Sequence, residues 1–164
     1  MAGRITKSEQ QLRPDSRFND MVFSKFINCV MHDGKKTVAT RVMYDAMDQI
    51  EARLKTEENE NAPENALAVF HLAIENVKPQ VEVRSKRIGG ANYQVPMQVP
   101  RKRQQSLAFR WIINAARGEK GRAMSRRLAD EIYNAARGEG KAMNIREQTL
   151  RMAEANKAFA HFAR

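Results

Sequence analysis

Residue types that could do chemistry are sparse in this chain and fall into two sets. The first is the enzyme-like set. Its three histidines, His32, His71 and His161, form no His-Glu-x-x-His zinc motif. Asp33-Gly34-Lys35-Lys36-Thr37 and Gly138-Glu139-Gly140-Lys141 lack the upstream glycine and strand of a phosphate loop, and there is no Gly-x-Ser-x-Gly elbow. Glu57, Glu58 and Glu60 lack the ligand alternation and turn glycine of a calcium loop. No catalytic residue, metal site or cofactor is expected. The lone Cys29 falls in the apolar run from Met21 to Met31 and is expected in the core.

The second set is cationic. Arg84, Lys86 and Arg87 precede Gly89-Gly90, and Arg101, Lys102 and Arg103 follow Pro100. From Val83 to Gly118 there is no carboxylate. Three cations opening a helix oppose its dipole at a cost of ~0.3–1 kcal/mol each. A bound phosphate would offset that cost and would also meet the free N–H groups of the first turn. Lys35 and Lys36 share the same conflict. Arg4, Lys7 and Arg13 suit an arm that orders on a polyanion. Arg126 and Arg127 are weaker candidates. Arg117 and Arg137 are explained as charges near helix ends.

Charge distribution supports this division. The net charge is +10, and segments 1–44, 45–82, 83–119 and 120–164 carry +4, −6, +7 and +5. A long acid-free basic stretch is an electrostatic footprint for a polyanion such as RNA, DNA or an anionic membrane surface. The acidic segment should face solvent or a basic protein. The start has no apolar signal region, no stretch is long enough to span a bilayer, and the single cysteine suits a reducing cytosol.

The positioning elements follow from periodicity. Residues 1–17 read as a basic, unstructured arm. Apolar spacings of three and four predict helices over about 19–32, 36–54, 64–77, 101–117, 125–137 and 143–162. Residues 56–63 are an acidic loop. Between helices three and four the period falls to two, predicting a β-hairpin over 80–100. A two-residue Gly89-Gly90 turn would pair residues whose numbers sum to 179, putting the apolar residues of the two arms on opposite faces. An odd loop or bulge is therefore expected. Tyr93 could stack on a base or pack at the hairpin root. The fold class is mainly α, a six-helix bundle with a projecting β-hairpin, in a single domain spanning 1–164.

The run Glu82-Val83-Arg84-Ser85-Lys86-Arg87-Ile88-Gly89-Gly90-Ala91-Asn92-Tyr93-Gln94-Val95-Pro96 closely resembles bacterial small-subunit ribosomal protein seven. So do Lys25-Phe26-Ile27-Asn28 with Asp33-Gly34-Lys35-Lys36, Leu107-Ala108-Phe109-Arg110-Trp111, and the ending from Met152 to His161. The likeness covers nearly the whole chain. It implies a structural, non-enzymatic cytoplasmic protein, monomeric within the ribosome, that binds the 3′ major domain of 16S rRNA and nucleates the subunit head. It implies rRNA contacts by the cations above and by Arg110. The hairpin tip, Ile88, Gly89, Gly90, Ala91, Asn92 and Tyr93, would then lie near exit-site tRNA and the mRNA path, with small-subunit proteins nine and eleven as neighbours. A DNA-bending architectural protein is the alternative, but such arms often carry a wedge proline at the tip. Here Pro96 lies six residues past the glycine pair.

Overall fold

A computed structural model of the chain describes residues 11–56 and 63–163, with the side chain of residue 163 left aside. Helices α1 (Met21–Val30), α2 (Lys36–Thr56) and α3 (Ala66–Val77) come first. The hairpin β1 (Val81–Ile88) and β2 (Ala91–Gln98) follows, and then α4 (Arg101–Gly118), α5 (Met124–Ala136) and α6 (Lys141–Ala155). A short 3-10 turn, η1 (Lys157–Ala163), ends the described chain. The mainly helical architecture with a hairpin between the third and fourth helices is the one expected from periodicity.

Local chemistry fixes the ends. Asp20 caps α1 by accepting from the Phe23 N–H at 2.6 Å, and Asn65 caps α3 by accepting from Ala68 at 2.8 Å. Asp33 and Gly34 take positive φ values of 51° and 73° in the turn into α2, a conformation that aspartate and glycine tolerate best. At the start of α6, Gly140 offers no side chain. The buried Glu131 of α5 does the work instead, accepting from the Ala142 N–H at 2.7 Å. Burial pushes the Glu131 carboxyl above its ordinary value, against the pull of that hydrogen bond.

The core draws on all six α-helices. At its centre Phe70 of α3 meets Phe23 and Phe26 of α1 edge-on, with centroids 5.2 and 5.3 Å apart. Phe26 meets Phe109 of α4 at 5.1 Å. The chain docks onto this body from Asp15, although the sequence assigns residues through 17 to an arm. The Asp15 carboxylate accepts from the Tyr44 hydroxyl at 2.9 Å, and Arg17 pairs with Asp48 at 2.6 Å.

Three expectations are corrected. Cys29 is exposed. Residues 23, 26, 27 and 30 form the buried stripe of α1, whereas Met21, Lys25 and Cys29 recur every four residues on its other face. The sixth helix ends at Ala155, not near Phe162. There Asn156 leaves helical geometry at the C-cap, its backbone N–H and side-chain amide both donating to the Met152 carbonyl at 3.1 and 2.8 Å. The hairpin contains no bulge. Its register, Val81 opposite Gln98 through Ile88 opposite Ala91, is the two-residue register. Gly89 and Gly90 both have positive φ, 58° and 89°, as a type I′ turn requires.

That register is stable because burial is shared between the two faces of the hairpin. One face carries Glu82, Arg84, Lys86, Tyr93, Val95 and Met97; Val83 and Pro96 lie on the other. Val95 is fully buried on the first face and Pro96 is buried on the second. The tail covers the outer part of the first face. Tyr93 lies 5.1 Å from Phe159 and 5.7 Å from Phe162, and Lys86 Nζ donates to the Phe162 carbonyl at 2.8 Å. A bulge that moved the β1 valines onto the same face as Val95 would remove Lys86 from this contact.

Candidate nucleic-acid interface

Six of the expected cations sit on the hairpin's first arm and the first turn of α4. Arg84, Lys86, Arg87, Arg101 and Lys102 are exposed, and Arg103 is half-buried. Pro100 precedes α4 and no side chain caps it; the Arg103 N–H instead turns back to the Pro100 carbonyl at 2.8 Å. Among the described residues, Arg87 and Arg101 form no ion pair. Lys86 is held by the Phe162 carbonyl. Tyr93 packs on the tail rather than at the hairpin root, a partner its sequence context did not offer.

Arg84 and Arg103 are joined by a residue that charge counting passes over. Glu82 is 8% exposed, at the root of β1. Its Oε1 pairs with Arg84, and its Oε2 accepts from Arg103 Nε at 3.3 Å and Nη2 at 3.2 Å. A carboxylate so buried must be paired, because leaving it alone would cost several kcal/mol of lost hydration (~3–5 kcal/mol when one partner is removed). Arg103 therefore has a structural partner, whereas Arg101 forms no ion pair among the described residues. Arg87 is about 17 Å along the strand from Glu82, by the rise of an extended chain. The cations thus divide into a root group and an outer group.

The remaining candidates lie on the helical body. Lys35 and Lys36 are exposed at the turn between α1 and α2, and Arg110 is exposed on α4. The charges of Lys25 and Arg110 both act on the Cys29 thiol, pulling it down. Partial burial nevertheless pushes the Cys29 thiol up. Arg117 reaches away from its own helix end and donates to the Val30 carbonyl of α1 at 3.2 Å. Arg127 donates to the Glu119 backbone carbonyl, and Arg13 is exposed. Arg4, Lys7 and the acidic stretch 57–62 lie outside the described residues. No group of metal-binding side chains occurs among the described residues, and no described helix is long and apolar enough to cross a membrane.

The family model described as "Ribosomal protein S7p/S5e" matches residues 2–157. This chain belongs to that family. A "Small ribosomal subunit protein uS7" of Rhodopirellula baltica is 57% identical over 161 residues, covering 98% of this chain and 99% of that protein. The proteins of the same description in Rhodospirillum centenum and Methylocella silvestris are 49% and 48% identical over 162 residues, each alignment covering 99% of both chains. The family is a structural, non-enzymatic component of the ribosome, in keeping with the resemblance borne by the hairpin, the α1–α2 turn and α4.

Proposed function

We propose that this protein binds the 3′ major domain of 16S rRNA and nucleates assembly of the head of the small subunit. The observation that carries the reading is the acid-free basic segment on the hairpin and α4, exposed in a chain whose family is ribosomal. Its mechanism is neutralisation of phosphates by Arg84, Lys86, Arg87, Arg101, Lys102 and Arg103, with Lys35, Lys36 and Arg110 contributing from the body and Arg4, Lys7 and Arg13 from the N-terminal arm. The fixed spacing of these groups reads the shape of a folded RNA rather than its base sequence. The hairpin tip, residues 88–93, lies near exit-site tRNA and the mRNA path. Small-subunit proteins nine and eleven are its neighbours, and the protein is a monomer within the ribosome. The whole chain, 1–164, acts as one rRNA-binding domain.

A competition assay tests this. Labelled 3′ major domain RNA bound to the protein should resist an equal concentration of duplex DNA and yield to unlabelled RNA of the same domain. Displacement by DNA on equal terms would sink the reading.

A further inference from the structure

We infer that Glu82 is a positioning residue for RNA recognition: its buried carboxylate locks the hairpin root to the first turn of α4 and aims Arg84 and Arg103 at phosphate. This deepens the rRNA-binding reading and rests on it. A two-stranded hairpin is marginally stable by itself, so its angle to the body depends on what holds its root. Backbone bonds hold part of it, with Val99 N–H donating to the Gln80 carbonyl at 3.0 Å. The Gln104 side chain adds a bond to the Val99 carbonyl at 2.9 Å.

Glu82 supplies the lateral link. It stands on β1, two residues before Arg84 on the same face, and grips Arg103 from another element, 21 residues along the chain. Both arginines keep solvent-facing surface, with side chains 54% and 37% exposed. Arg103 spends Nε and Nη2 on the carboxylate and retains Nη1. A guanidinium held by one carboxylate still carries donors for a second anion, and its orientation no longer has to be fixed on binding. The same link sets the distance between the outer cation Arg87 and the root cation Arg101.

The sign of one substitution decides between positioning and simple charge. Glu82→Gln removes a negative charge from an RNA-binding surface. By Coulomb attraction alone it should tighten binding of the RNA. If Glu82 positions the arginines, binding should weaken by about tenfold, the value of one charge-assisted hydrogen bond forfeited. The measurement is equilibrium binding of the full-length protein to 3′ major domain RNA, with Glu82→Gln made in the parent and in Arg103→Gln. Positioning through Arg103 requires the loss to shrink in the Arg103→Gln background to the share that acts through Arg84. The distant Arg87→Gln background should instead leave the loss intact.

Tighter or unchanged binding by Glu82→Gln would overturn the inference while leaving the rRNA reading in place. So would an equal loss in the Arg103→Gln background, the outcome expected if the substitution only unfolded the hairpin. Failure of the parent protein to bind the RNA would overturn the rRNA reading, and this inference with it.

Discussion

Arg87 and Arg101 are exposed and form no ion pair with any described residue, so their charge is fully available to phosphate. Replacing both with Gln removes two charges without opening a cavity or orphaning a described partner. Each phosphate contact contributes about 0.7–0.9 to the slope of log affinity against log salt. The double variant should therefore lose about 1.4–1.8 of that slope if each cation meets one phosphate. Between about 50 and 200 mM salt, its affinity should fall roughly seven- to twelvefold less than that of the parent. Binding of 3′ major domain RNA measured across this salt range supplies both slopes. Lys55→Gln is the control, because Lys55 pairs with Glu51 at 3.2 Å at the far end of α2. Parallel lines for the parent and the double variant would refute the phosphate role of these two arginines. A slope lowered as much by Lys55→Gln would show that total charge, not position, governs binding.

Three further outcomes follow from the fold. Phe70→Ala empties the site between Phe23 and Phe26 and should cost about 3–5 kcal/mol, read as a lower midpoint in denaturant unfolding. Replacing Gly89 and Gly90 with Ala forces two side-chain-bearing residues into positive φ, at roughly 1–2 kcal/mol each, and should reduce amide protection in β1 and β2; Asn at position 89 should be tolerated better. Glu131 has a folded pKa raised above the ordinary value of 4.5 by burial. Its contribution to stability is present below the unfolded value and is lost as pH rises through the folded value. Thermal melts above pH 4.5 should show that loss in the parent and not in Glu131→Gln. Glu119, held low chiefly by Lys141 and also by Arg122, acts in the opposite window, favouring the fold above 4.5 and losing its effect as pH falls.

The helices were legible because each buries one face. Phe23, Phe26, Ile27 and Val30 in α1 show the spacing that packs against Phe70 and Phe109. The hairpin's location was legible for the same kind of reason, since the apolar period changes to two where Pro79 ends α3. Its register was not. The expectation of a bulge assumed one buried face, but Val95 and Pro96 are buried on opposite faces. The tail at Phe159 and Phe162 adds a contact on Tyr93 and Lys86 with no trace in the hairpin's own sequence. Cys29 was misplaced because a run of apolar residues was read without its helical phase. The cations were visible as types, but their partners were not. Glu82 counts as one acidic residue among many until Arg103 folds back upon it, and only then do the arginines separate into bridged and unpaired.

The proposed binding site lies in one domain of the small-subunit RNA. A backbone-cleavage footprint of the purified chain on full-length 16S rRNA tests it most directly. Protections should cluster in the 3′ major domain, with a subset lost when Arg87 and Arg101 are replaced. Protections spread evenly over the other domains, or none at all, would contradict it.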